Sequence, residues 1–391
     1  MENVAKEHKK EYEKKPEVVA SAPGRFHLIG EHTWFFKDKT LSMAVDLPVH
    51  VAVSRRKDTN LRFFYPQLGE KKRAGLASLK YKKEDKWANA VKAVLYGFQS
   101  GGFDCEGMNV TVYSDILPSA GFGITTAIKV ASAWAVRELM AFRLDDRQML
   151  QVIERANRLF LQCEDFRADN FAAIYSKPHS LVLTDHARAG FDVIPFPFEE
   201  RTVILTDARV PRIVTWNEES LLQPENVLLL GELKERRSNI YGGWHYEDRA
   251  SEVNEVLSVV GEDTRRRLMC IMGEHRSVLE AEAAVHKNDF SAFARAVNRS
   301  HENMRSGYDL SCPEIDWILK RVQELGDAPD DLRAPVSCGR ITGKGFGRSV
   351  YTILRTSDVE KYRERLSEYE RIFGFHPECH VVRPAGGVTL L

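Results

Sequence analysis

An α+β architecture in two domains is what this sequence predicts, and three features lead there. Its 391 residues exceed one ordinary hydrophobic core and suit about two to three domains. Near residues 190–210 a strand-rich front half gives way to a helix-rich back half. Over residues 108–139 a strand, a glycine-bearing loop and a helix follow one another, an arrangement that offers a helix start to an anionic ligand. The division is expected at residue 200, with a front domain of 1–200 and a back domain of 201–391.

Composition removes several other classes. Lys and Arg number 56 and so do Asp and Glu, so no net field recommends nucleic acid or an anionic membrane as partner. With 43% hydrophobic and 29% charged residues the chain can bury a core, unlike a disordered one. No apolar run approaches the roughly 18–20 residues of a membrane span, and the start, MENVAKEHKKEYEKKPE, is charged where a secretory signal turns apolar. A cytoplasmic location is expected. The six cysteines lack CxxC spacing and the twelve histidines lack HxxxH or HExxH spacing, so no transition-metal site is predicted. A hard cation carried by a substrate is compatible with this. No internal repeat of 20–50 residues is visible.

The elements follow in order. Residues 1–16 read as a charged helix, and 18–21 turn apolar before the breaker pair Pro23-Gly24. LSMAVDLPVHVAVSR (41–55) alternates around Pro48 and reads as paired strands or a hairpin. Helices are predicted at 87–98, 124–139 and 147–163, and strands at 108–113, 180–185 and 202–207. Residues 211–240 are polar and irregular. Beyond them helices are predicted at 246–259, 263–287, 289–304, 312–325 and 358–371, with a glycine-rich stretch at 335–347 and a strand at 350–354.

Three segments bear chemistry. APGRFHLIGEHT (22–33) packs an arginine, a glutamate and two histidines around two glycines. Arg25 could neutralise phosphate charge, and Glu31 and His32 could bind hydroxyls; a turn with surface charges is the alternative. LPSAGFGITTAIKVA (117–131) runs a glycine loop into a helix bearing Thr125 and Thr126, an anion cradle or an ordinary tight loop, and not a Walker A sequence. In GRITGKGFG (339–347), glycines 343, 345 and 347 permit positive φ and close approach of a ligand or a strand. Asp169, in FRADNFAAIYS (166–176), lies between a helix and a strand and reads as a carboxylate candidate or a loop cap.

In their order and separations these segments resemble the galactokinases, within the GHMP small-molecule kinase superfamily, over nearly the whole chain. The first is similar to that family's amino-terminal signature, the second stands where its phosphate-binding loop and helix lie, and GRITGKGFGRSVYTIL is similar to its third motif. SGYDLSCPEID (306–316) and the ending RPAGGVTLL agree as well. The resemblance implies a two-domain GHMP kinase fold, with a left-handed βαβ unit in the front lobe, a ferredoxin-like back lobe and an active site in the cleft between them. It implies ATP-dependent phosphorylation of a monosaccharide, galactose or a related sugar, at its anomeric hydroxyl, with Mg²⁺ as the metal and a monomer as the usual form. Carried over by position, Arg25 and Asp169 are the catalytic pair. Glu31, His32, Trp34 and Tyr246 are the sugar contacts, and Gly121, Gly123, Thr125, Thr126, Gly343 and Gly345 face ATP. Thr125 and Asn157 fall at the metal.

Departures from the family pattern fall on chemistry. Trp34-Phe35-Phe36-Lys37-Asp38 stands where the family has an aspartate that grips sugar hydroxyls, and losing such a partner removes discrimination of roughly 10⁴. Gly123-Ile124-Thr125-Thr126 replaces a run of serines, and Asn157 replaces a glutamate of the metal site. Phe166-Arg167-Ala168 is expected to set a guanidinium beside Asp169, and Lys344 and Arg348 intrude on the third motif. These changes leave a second reading open, a catalytically weak or inactive relative that binds sugar or nucleotide as a sensor or partner protein.

Overall fold

Two long strands, β1 (Val18–Ile29) and β2 (Lys39–Arg55), form the spine of the front half. The computed structural model describes residues 2–33, 38–116, 121–163, 166–211, 258, 261–308, 310–325, 334–343 and 349–391. The segment 41–55 is one strand and not a hairpin. Pro48, which donates no hydrogen bond, lies opposite Pro23, and the register shifts between Pro23 and Gly24. At this irregularity β2 changes neighbours: residues 49–55 pair with β5 (Met108–Ser114), and residues 39–42 pair with β6 (Ser180–Asp185).

The sheet continues from β5 to β3 (Asn60–Tyr65) and the edge strand β4 (Glu70–Gly75), and from β6 to β7 (Gly190–Pro195). The sequence pattern missed β3, β4 and β7; β4 reads EKKRAG, a charged edge without apolar alternation. Helices α1 (Glu2–Tyr12), α2 (Ala88–Gln99), α3 (Ile124–Leu139), α4 (Asp146–Arg155) and α5 (Arg167–Tyr175) belong to this half. The helix expected over 147–163 stops at Arg155 and widens into a π-helical turn, Ala156–Leu161.

The back sheet begins with β8 (Arg201–Asp207) and adds β9 (Cys338–Ile341), β10 (Ser349–Arg355) and β11 (Glu378–Val382) in the antiparallel order β11-β8-β10-β9. Between these strands run α6 (Glu262–Lys287), α7 (Phe290–Ser306), α8 (Pro313–Gln323) and α9 (Val359–Phe373). Strand, helices, two strands, helix, strand is a ferredoxin-like succession. Period-two alternation gives this sheet two apolar faces. Val203, Leu205, Tyr351 and Ile353 join the core of the front half, while Ile204, Val350 and Leu354 join a second core under α8 and α9. Each such fully buried side chain contributes about 1.5–3 kcal/mol.

The halves are joined by more than apolar packing. Phe26 meets the Tyr351 ring at 4.9 Å, and the Tyr351 hydroxyl donates to the Leu28 carbonyl. Lys39 pairs with Glu282 at 2.7 Å, and His275 Nδ1 approaches Asp38 Oδ1 at 2.9 Å. The last strand departs from the division expected at residue 200: β12 (Thr389–Leu390) returns to the front sheet, pairing with Ala20 and Ser21 of β1. Backbone hydrogen bonds hold that return, among them Ala385 N to Ala44 O, Gly387 N to Ser176 O and Val388 N to Ala173 O. The helix expected at 246–259 lies outside the described residues, apart from Ser258. No described helix is long and apolar enough to cross a membrane.

Candidate active site

Alternation along β1 sets the first half of the site. Phe26 and Leu28 are fully buried on one face, which leaves Arg25 and His27 together on the other. His27 lies directly across from Ser42 on β2, and its Nδ1 is 2.8 Å from the Ser42 hydroxyl. Arg25 is laced to the loop before α3: its backbone N–H donates to Phe122 O at 2.9 Å, and Nη1 donates to Gly121 O at 3.0 Å. Gly123 starts α3 at φ 78°, and a methyl group there would come within 3.0 Å of the Arg25 side chain. Glycine is therefore needed twice over, for backbone conformation and for the close approach of the guanidinium.

Asp169 supplies the second half. It is not in a loop as expected but in the first turn of α5, where a carboxylate also faces the positive end of the helix dipole. Arg25 Nη2 reaches Asp169 Oδ2 at 2.7 Å, and His27 Nε2 reaches Oδ1 at 2.8 Å. Thr126 Oγ1, on the buried face of α3, donates to Oδ2 at 3.4 Å. Burial alone would push this carboxyl up, but the Arg25 charge and the His27 hydrogen bond outweigh it and hold Asp169 well below the usual carboxylate range. Burial, with Arg25 nearby, pushes His27 down. The guanidinium beside Asp169 is Arg25's. Arg167, expected there, instead approaches Glu154 at 3.4 Å and is half-buried.

The second and third motifs meet at their glycines. A methyl group on Gly121, at φ 67°, would lie 3.5 Å from Gly343 of the back half, itself at φ 93°. Thr125 is exposed at the start of α3. Gly345 lies outside the described residues, as do Trp34, Tyr246, Lys344 and Arg348.

Glu31 and His32 are both fully buried. Glu31 Oε1 accepts from Arg340 Nη1 at 2.7 Å, and Arg340 Nη2 donates to Glu274 at 3.1 Å, so one buried arginine of β9 joins the first motif to α6. Ser300 accepts from Arg340 Nε and donates to Glu274. Burial works against Glu31's charge, yet Arg340 keeps this carboxyl low; Glu274 is pushed up by burial despite the same arginine. Glu31 Oε2 is buried without a hydrogen-bond partner. His32 lies with its ring 5.9 Å from that of Tyr308.

Asn157, the residue at the expected metal position, is buried in the π-helical turn. Its amide oxygen accepts from the ammonium of Lys129, which is also buried, one helical turn beyond Thr126. An ammonium on that oxygen does not fit a protein-held Mg²⁺ there, and no group of three His, Cys, Asp or Glu able to hold a metal occurs among the described residues. Sequence reasoning passed over His27, Arg340, Glu274 and Lys129. Strand alternation signalled His27, two residues from Arg25; for Arg340 and Glu274, brought together from distant segments, no local signal existed.

Comparison with known proteins finds relatives over nearly the whole chain. The description "Galactokinase galactose-binding signature" matches residues 6–55, "GHMP kinases N terminal domain" matches 88–177, and "GHMP kinases C terminal" matches 281–371. A Treponema pallidum protein named "Putative galactokinase" is 42% identical over 393 residues, covering 100% of this chain and 97% of the relative. A galactokinase of Thermotoga maritima is 25% identical, covering 95% and 99%. Among solved structures, Lactococcus lactis galactokinase complexed with galactose has a TM-score of 0.82 at 17% identity, with 99% of each chain covered. A mevalonate kinase has a TM-score of 0.63 at 15% identity, covering 93% and 98%.

Fold and motif order thus define the class as a GHMP kinase, with its N-terminal and C-terminal parts in sequence. Within that class, the chain belongs to the galactokinase family.

Proposed function

We propose that this chain is an ATP-dependent kinase that phosphorylates the anomeric hydroxyl of galactose or a related monosaccharide. The observation that carries this reading is the Arg25–Asp169 contact of 2.7 Å, beside the loop where Gly121 meets Gly343. Asp169, held ionised, accepts the hydrogen bond of the acceptor hydroxyl and orients its oxygen toward the γ-phosphorus. A carboxylate this acidic is a weak base, which a loose phosphoryl-transfer transition state tolerates because proton transfer comes late. The new O–P bond forms as the bond to the β,γ-bridging oxygen breaks, ADP leaves, and the hydroxyl proton passes to Asp169. Arg25 neutralises charge building on the transferred group.

Around this pair the remaining roles follow from what each group has free. Gly121, Gly123 and Gly343 admit the nucleotide's phosphates close to backbone, and Gly345 belongs to the same proposal from sequence alone. Thr126 is engaged with Asp169, so the exposed Thr125 is the hydroxyl available to phosphate. Glu31 Oε2, lacking a protein donor, is the oxygen left to take a sugar hydroxyl, with His32 adjacent. Trp34 and Tyr246 join the sugar contacts on sequence grounds. Magnesium arrives as MgATP, a substrate, and is assigned no protein ligand.

The test is a panel of hexoses, hexosamines and uronic acids assayed with MgATP. ATP consumption should depend on one of these sugars, and Asp169→Asn should lower it about 10³-fold with nearly unchanged thermal stability. No turnover with any sugar, together with retained ATP binding, would favour the sensor instead.

A further inference from the structure

This inference rests on the kinase reading and concerns a residue to which that reading gives no role. We propose that His27 is a positioning residue for Asp169: its Nε2–H holds Oδ1, keeps the carboxylate from closing onto Arg25 as a two-point pair, and leaves Oδ1 turned to the acceptor hydroxyl.

The need for such a restraint is visible in Arg25. Its Nη2 binds Oδ2 at 2.7 Å and its Nη1 is engaged by the Gly121 carbonyl, while Nε is buried without a hydrogen-bond partner. A guanidinium presents Nε and Nη2 side by side, a fork that matches both oxygens of a carboxylate. Rotation of Asp169 onto that fork would satisfy the orphan Nε–H and occupy both oxygens. The result would be a stronger ion pair and a poorer proton acceptor.

His27 opposes that rotation. Its Nε2 stands 2.8 Å from Oδ1, and its side chain is only 4% exposed. The ring is fixed from two further sides, by Ser42 Oγ at 2.8 Å from Nδ1 and by Phe166, whose ring meets it edge-on at 5.1 Å and 81°. An ionised Asp169 can only accept, so Nε2 carries the hydrogen and Nδ1 accepts from the Ser42 hydroxyl. A carboxylate has about four lone-pair positions. Arg25 and Thr126 use those on Oδ2, and His27 uses one on Oδ1. The position that remains is on Oδ1, the oxygen His27 holds still.

The experiment compares His27→Gln with His27→Leu in full-length protein, using the sugar that the panel identifies. Glutamine returns an N–H close to the place of Nε2, and leucine matches its size without a donor. Leucine is expected to lower kcat about 10²-fold, with both KM values within about threefold of wild type, whereas glutamine stays within about tenfold on kcat. Ser42→Ala, which releases Nδ1, should fall between them. Unfolding midpoints are recorded for all three, and if the leucine variant does not fold, glutamine and Ser42→Ala decide the kinetic arm. Separately, ¹⁵N–¹H spectra of labelled wild-type protein should report His27 as the Nε2–H tautomer, with that signal displaced in Asp169→Asn. Wild-type rates in His27→Leu, equal impairment in glutamine and leucine, or an Nδ1–H tautomer would each overturn the proposal. A wild type inert with every sugar would overturn the kinase reading instead, and the tautomer measurement would still test the contact itself.

Discussion

Two arginine–carboxylate sets grow from the same strand end, and they differ in water. Arg25 and Asp169 lie 2.7 Å apart with side chains 11% and 19% exposed. Arg340, Glu31 and Glu274 lie at 2.7 and 3.1 Å, every one of them at 0%. The chemistry is alike, yet the first set keeps some solvent access, while the second joins two halves of the molecule and leaves only Glu31 Oε2 unbonded. A buried set of this kind gains little over apolar packing, but removing one member strands the others. The lesson is that a charged motif residue is a reagent or a rivet according to what covers it.

Substitutions separate the two sets, and the greatest change should come from the buried one. Arg340→Met leaves Glu31 and Glu274 facing each other without a cation, and chemical denaturation should show a loss of about 3–5 kcal/mol. A loss below about 1 kcal/mol would mean that this set is not what joins the halves. Next comes Arg25→Met, where turnover of the identified sugar should fall about 10²–10³-fold. Its unfolding free energy should move by no more than about 2 kcal/mol, because Asp169 keeps its His27 and Thr126 donors and some solvent. Equal stability losses in the two variants would erase the contrast between the sets.

Acid sharpens the comparison further. Asp169 and Glu31 both have folded-state pKa values below their unfolded ones, so their contributions are present at neutral pH and vanish only as pH falls through those low values. A loss of stability on going from pH 7 to pH 5 comes from buried histidines, since Glu274, whose carboxyl is pushed up, acts in the opposite sense. His8 is enclosed between the hydroxyls of Thr111 and Ser54, and burial, helped by Lys14, lowers it from 6.5 to about 4. Between those values the unfolded chain binds the proton and the folded one does not, so stability rises with pH across that window. Urea titrations at pH 7 and pH 5 should show His8→Leu shrinking the loss between them by about 2 kcal/mol. An unchanged loss would assign it to other buried histidines, such as His186, which burial also lowers to about 4.

Much of the site was legible in the sequence because its parts are local. The run of polar residues around Gly24 and Gly30 marked Arg25, and the glycines before α3 marked a helix start left open to a ligand. Asp169 was legible as a residue but not as a helical one, since the first turn of α5 is fixed by what packs on it. The guanidinium beside it was misassigned to Arg167, the nearest in sequence, when strand register delivers Arg25 from 144 positions away, the difference between 169 and 25. The resemblance singled out Asn157, whereas the ammonium lying on its amide was not legible, because Lys129 belongs to another helix.

By itself the sequence determined the secondary elements with strong periodicity, the glycines that demand positive φ or close approach, and the family to which the three motifs belong. Those are properties of short stretches, where side-chain spacing and backbone sterics act within a few residues. The resemblance already paired Arg25 with Asp169; tertiary structure alone decided that Glu31 is a partner of Arg340, and that His27 stands between a carboxylate and a serine. Electrostatic partnership is a matter of distance and desolvation, and both are set only when strands from opposite ends of the chain are brought into register and covered.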